Sequence, residues 1–222
     1  MPASATAEDM PSPRKRPREA RRVQLIEATI ETLALRGYAR TTLTEVATRA
    51  GLSHGLVNFH FQSKDKLLSE TLLYLAEEYR QNWTEALEAA GEAPAARLDA
   101  LIRADLRPPV YTAPRLAAWL AFWGEAQARP VYQDLCASND AAYNRVLEEV
   151  CSALLAEGGY AGRPARVARV IRVAMEGVWM DQSTMERPYG ADEALATVHT
   201  AAAAFFPRHF DETGLIDGGQ AA

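Results

Sequence analysis

Two cysteines in 222 residues are too few for a disulfide framework. Cys136 and Cys151 stand in apolar helical stretches. On one helix, at ~1.5 Å rise per residue, they lie over ~20 Å apart, too far to bridge. Such cysteine usage favours a reducing cytoplasm. The four histidines, His54, His60, His199 and His209, pair with no nucleophile and show no metal-ligand spacing. No GxGxxG, P-loop, GxSxG or HExxH run occurs. An enzyme, a metal site and a bound cofactor are therefore not expected. No apolar run approaches the ~20 residues needed to span a bilayer, and the N-terminal residues lack an apolar signal core. Period-two alternation is missing, as is any Asn-Gly or Asp-Gly turn between strand-like runs. What remains is an all-α chain.

The overall charge of −5 hides an asymmetry. Residues 10–66 carry eleven Lys or Arg against five Asp or Glu, a net of about +6. Residues 67–222 carry thirteen against twenty-two, a net of about −9. A basic head on an acidic body suits a polyanionic partner at the head.

Inside that head, Thr42 to Phe61 reads as two short helices joined by a turn. Thr42 and Glu45 form a capping-box pair, so a helix starts near Leu43. Leu43, Val46, Ala47 and Ala50 share its apolar face. Gly51 stops it in the left-handed conformation, and Ser53 caps a second helix over about 54–60. The small Ala47 lets the second helix cross closely, and Val57 packs back. This is helix-turn-helix chemistry, with the second helix placed for the DNA major groove. Any tight helical hairpin with a turn glycine is the plainer alternative.

The run from Arg22 to about Thr71, Leu-Ile-Glu-Ala-Thr-Ile-Glu-Thr-Leu-Ala-Leu-Arg-Gly-Tyr and its continuation to Lys-Asp-Lys-Leu-Leu, resembles the DNA-binding region of TetR-type bacterial repressors. Trp119-Leu-Ala-Phe-Trp123 and Glu176-Gly-Val-Trp179 are similar to the choline-responsive BetI group of that family. The resemblance implies a homodimer in which the last two helices pair with their copies. It implies double-stranded operator DNA as partner and release by a small effector, such as choline or another quaternary ammonium. A TetR-type regulator of another pathway, such as efflux or catabolism, stays open, as does a helical small-molecule binder without DNA.

Taken in order, Met1–Pro17 is rich in Ala, Ser and Pro and is expected to be disordered. Its basic end, running to Arg22, is either an arm for phosphates or the minor groove, or a solubilising tail. The head spans 18–66, with a first helix to Arg36 ended by Gly37. The effector and dimer body spans 67–210, and 211–222 is expected to be a flexible tail. Ser63 opens a long helix reaching about Ala90. Further helices are expected near 94–107, 114–128, 131–157 and 164–185, and Asp192 is expected to cap the last, to about Phe206.

Candidate DNA contacts lie on and around the second helix of the motif. His54, Gly55 and Asn58 face away from Val57, and Phe59 joins them at the edge. Asn58 suits a bidentate bond to an adenine edge, and Gly55 lets the backbone approach. Family members often carry Tyr at this place, which leaves base or phosphate open for Asn58. Thr42, Thr44, Ser53 and Lys64 resemble the family's phosphate contacts, with plain capping as the alternative for the hydroxyls. His60 is either a phosphate contact or structural. In the body, Trp119 and Trp123 share one helix face, Trp179 and Glu176 another, and Tyr111 lies in the loop before the first. Aromatic faces with a carboxylate suit a quaternary ammonium. Anionic candidates are Glu176, Asp181, Glu125 and Asp105, with Glu176 or Asp181 expected to supply the charge. Core or dimer interface is the alternative for each ring.

Overall fold

The computed structural model describes residues 18–126 and 130–216, so the expected disordered tail over 1–17 lies outside the described residues. Among those described, nine helices and one small hairpin are present. The head comprises α1 (Arg18–Arg40), α2 (Leu43–Ala50) and α3 (His54–Phe61). Leu25, Ile26, Ile30 and Leu33 form the buried face of α1, while Val23 stays half-buried. The break expected at Gly37 is there: its φ of 73° is open to a residue without Cβ, and one more turn follows it to Arg40. Thr42 caps α2 by accepting from the Glu45 N–H. Gly51 closes α2 with φ 64° and ψ 31°, its N–H returning to the last carbonyls. Ser53 then caps α3. Val46, Ala47, Val57 and Phe61 are buried where the two helices cross.

Ser63 opens α4 (Lys64–Ala89), 26 residues and thus about 39 Å long. It runs from the head through the body without a break at residue 66, and one apolar core continues along it. The body adds α5 (Pro94–Asp105), α6 (Ala113–Ala126), α7 (Pro130–Gly158), α8 (Pro164–Thr184) and α9 (Ala191–Phe205). α6 lies against both α1 of the head and α8 of the body. Arg115 of α6 donates to Glu27 of α1 at 2.8 and 2.9 Å and to Glu78 of α4 at 3.0 Å. Phe122, about two turns further along α6, meets Tyr38 edge-on at 6.1 Å.

Two expectations need correcting. Gly190, not Asp192, occupies the cap position of α9, and Asp192 sits in the first turn, where its charge faces the positive end of the helix. The tail expected from 211 instead begins as a hairpin, β1 (Phe210–Asp211) paired antiparallel with β2 (Gly214–Leu215). Buried Phe210 anchors it beside Phe206 and His199. Asp211 accepts the backbone N–H and the hydroxyl of Thr213 and so closes the turn. Residues 217–222 lie outside the described residues.

Candidate functional site

The outer face of α3 presents His54, Gly55, Asn58 and Phe59, all exposed, while Val57 and Phe61 point inward. The Asn58 amide nitrogen lies 3.2 Å from His54 Nδ1, to which it donates. The bond fixes the amide plane and leaves its carbonyl oxygen and one N–H outward. Phe59 is 63% exposed and lies under the Arg18 guanidinium at 5.4 Å. An exposed ring there suits a thymine methyl, and its position on the face was the only sign of it in the sequence. Thr42, Thr44 and Ser53 rim the same face, exposed. Thr42 also donates to the Glu45 carboxylate at 3.2 Å, and Ser53 accepts the Leu56 N–H at 3.3 Å.

Three expected contacts are engaged internally. The Lys64 ammonium donates at 3.0 Å to both Tyr38 and Ala39 carbonyls and lies 5.5 Å from the Tyr38 ring. It clasps the end of α1 to the start of α4. Arg22 pairs with Glu19 at 3.1 Å and with Glu70. Hydrogen bonds from Lys66 and then Arg22 hold the Glu70 carboxyl below the usual carboxylate range. His60 is half-buried beside Phe59 and Phe61. Burial, and then the charges of Arg18 and Arg22, lower its pKa, so it is neutral near pH 7.

The body holds a cavity of about 60 Å³ to which α4, α5, α6, α7 and α8 all contribute. Five aromatic rings wall it: Tyr79, Trp119, Trp123, Tyr143 and Trp179. Trp123 stacks on Trp179 with centroids 6.2 Å apart and planes 11° from parallel, and meets Trp119 at 6.4 Å. Tyr79 stands edge-on to Trp179 at 5.9 Å. Arg172 and Glu176 form an ion pair at the lining. The buried carboxylate is Asp105, at the last residue of α5. It accepts the Tyr79 hydroxyl at 2.8 Å, and its backbone carbonyl accepts the Trp179 indole N–H at 3.1 Å. Burial pushes its pKa up to about 7, with Glu176 adding to the rise against the Tyr79 bond.

Trp119, Trp123, Glu176 and Trp179 thus come together as expected, but Tyr111 and Asp181 are not in the lining. The Tyr111 hydroxyl is buried without a hydrogen-bond partner among the described residues, and Asp181 accepts the Tyr189 hydroxyl at 3.2 Å beyond the cavity. Glu125 is likewise not in the lining. Tyr79, Tyr143 and Asp105 stand in the lining instead. Tyr79 was legible only as one apolar position of α4, and nothing near Tyr143 in the sequence marks it.

The profile described as BetI-type transcriptional repressor, C-terminal, matches residues 94–207, and that of bacterial regulatory proteins, tetR family, matches 25–71. The HTH-type transcriptional regulator BetI of Burkholderia thailandensis is 33% identical over 181 residues, which cover 80% of this chain and 89% of its own. The chain belongs to the BetI-type branch of the TetR family. BetI of Paraburkholderia xenovorans is 30% identical over 194 residues, 82% of this chain and 91% of its own. Among solved structures, a transcriptional regulator from Pseudomonas aeruginosa superposes with a TM-score of 0.72 at 25% identity, covering 86% of this chain and 92% of that one. Another, from Saccharomonospora viridis, was solved in complex with choline. It superposes with a TM-score of 0.70 at 21% identity, over 79% of this chain and 91% of its own. This BetI-type protein is a transcriptional regulator rather than an enzyme, as its named relatives are.

Proposed function

We propose that this BetI-type regulator is a cytoplasmic homodimer that holds operator DNA with the α3 faces of its two heads and releases it on binding choline or a close quaternary ammonium. The observation that carries the effector is the aromatic cavity with Asp105 buried in its wall. A methylated ammonium cannot donate a strong hydrogen bond, so ring faces and one carboxylate are the groups that recognise it. The choline-bound structure from Saccharomonospora viridis and the BetI relatives support the same class. On the DNA side, Asn58 with its bonded His54 reads a base, Gly55 lets the backbone approach, and Thr42, Thr44 and Ser53 meet phosphate. Arg22, His60 and Lys64 support that face from behind.

The cavity is small. An apolar cavity of roughly 150 Å³ is needed to hold benzene, and this one is about 60 Å³. A cation centred between Trp123 and Trp179 would lie about 3.1 Å from each ring, half their 6.2 Å separation. That is closer than the roughly 3.5–4.0 Å its own methyl carbons need. The rings must part, so α6 answers to the ligand. α6 also grips the head through Arg115 and Phe122, which carries the displacement to α1. A coupling of about 1–3 kcal/mol then weakens operator binding by roughly five- to 150-fold.

Calorimetry of the purified protein with choline tests the reading directly, with a gel shift on operator fragments beside it. Binding heat at micromolar to millimolar choline, with release of DNA, is expected. Trp119→Ala should lose the choline response and keep operator binding. No heat and no change in operator affinity at millimolar choline reject the effector.

A further inference from the structure

Trp119 and Trp123 are walls of two spaces. They also line a second cavity, of about 300 Å³. Leu72 of α4, Phe122 of α6 and Ala137 of α7 give it an apolar wall, with Gln133, Cys136 and Asp140 of α7 completing the lining. Their charged groups also influence one another. Burial raises the Asp140 pKa, and Arg172 of the first cavity opposes the rise. Burial likewise raises that of Glu176, with Asp140 adding to it. The indoles are therefore a partition. Of the pair, Trp119 is buried, whereas Trp123 is 36% exposed and is followed by Gly124, around which there is open space. Trp123 is the ring that can turn.

Resting on the quaternary-ammonium reading of the first cavity, we propose that the preferred effector is a two-part cation. Its methylated ammonium head enters the aromatic cavity. An apolar chain longer than the ethanol arm of choline fills the second, and Trp123 is the door between them. Neither cavity alone serves such a molecule. The first has the rings and carboxylates but is too small, and the second has room and apolar walls. Parting Trp123 from Trp179 as α6 shifts answers both needs in one motion: it makes room for the cation beside the rings and joins the two spaces. A polar chain would lose hydration wherever it lies on Leu72, Phe122 and Ala137, and would find partners only at the Gln133 and Asp140 side.

The test uses the full chain and two probes, choline and hexyltrimethylammonium, followed by calorimetry and by alkylation of Cys136 at mildly alkaline pH. Burial, with Asp140 adding, pushes the Cys136 thiol up to about 11, so its alkylation is slow enough to follow. Cys151 is fully buried and serves as the silent internal control. Hexyltrimethylammonium should bind at least tenfold tighter than choline and slow Cys136 alkylation well beyond any effect of choline. Ala137→Phe fills the second cavity from an exposed helix position, and should abolish the tenfold advantage while keeping choline affinity. Equal affinities with an unprotected Cys136 overturn the two-part effector and leave the aromatic cavity standing. An advantage that survives Ala137→Phe also overturns it, because the chain then lies elsewhere. Failure of both probes to bind overturns the first cavity as well.

Discussion

Asp105 is where single-residue chemistry has the largest consequence. Its carboxyl is buried, takes one hydrogen bond from Tyr79 and has a pKa pushed up to about 7. In the unfolded chain it returns to about 3.8. The folded state therefore holds a proton that the unfolded state has lost, and this group's contribution to stability falls as pH rises from about 4 through about 7. A cation in the cavity reverses that preference by favouring the carboxylate. Choline binding should then release up to one proton below pH 7, and affinity should rise with pH until it levels there. The other titratable groups facing the cavity are Glu176, Arg172, Tyr79 and Tyr143, so the assignment needs a control. Asp105→Asn should keep the fold, lose the proton release and bind choline roughly thirty- to hundredfold more weakly, the worth of about 2–3 kcal/mol for a charge attraction over ~6–8 Å at an effective dielectric of ~20. Calorimetry at pH 6 in two buffers of different ionisation heat counts the protons. Identical heats in both for the wild type would show that Asp105 does not titrate on binding.

At the scale of elements, α6 is the part whose two ends have different tasks. Its C-terminal half lines the cavity, and its N-terminal half carries Arg115 into a clasp with Glu27 and Glu78. Arg115→Met keeps the alkyl stem and removes the charge. After allowance for the partial exposure of Glu27 and its screening by solvent, the change should cost about 1–3 kcal/mol of stability, read as a fall in Tm. Choline affinity should hold, while the ratio of operator affinities without and with choline collapses toward one. A ratio unchanged in Arg115→Met would show that the signal does not pass through this clasp. Helices of this kind were legible in the sequence because their signals are local. Thr42, Ser53, Ser63, Gly51, Pro94 and Pro164 mark starts and stops within a few residues of the groups they satisfy. Trp119 with Trp123, and Glu176 with Trp179, were legible for the same reason, being three or four apart on one helix. What was not legible is long-range. Lys64 reaches carbonyls 25 and 26 residues earlier, and Trp179 bonds a carbonyl 74 residues away. Asp105 carried no mark to set it above Glu176, Asp181 or Glu125, because its burial is made by other helices. The C-terminal hairpin was missed because two-residue strands are too short to show alternation, and the packing of Phe210 that anchors them is made by other elements.

For the whole molecule the decisive question is what covers α8. The residues that face inward, Ala168, Ile171, Met175 and Val178, are buried within the protomer. Val170, Val173, Gly177 and Met180 lie outside them at steps of three, four and three, a stripe along the opposite face. The three large side chains are 42%, 52% and 51% exposed. Such a period is that of a helix packing nearly parallel or antiparallel to another, and the small Gly177 lets two backbones approach. A two-fold dimer places the same stripe on itself and sets two heads to meet half-sites about 34–36 Å apart, one turn of DNA. The charge asymmetry fits this arrangement, since the acidic body is repelled by the duplex and only the basic ends are drawn to it. Val173→Glu would bring two carboxylates together on the axis of that contact. It should yield a monomer at micromolar concentration by sedimentation, with choline binding retained because the cavity lies within one protomer. Operator affinity should fall by roughly two to four orders of magnitude, since the second head no longer binds at high effective concentration. A Val173→Glu protein that still sediments as a dimer and still shifts operator would place the dimer contact on another face.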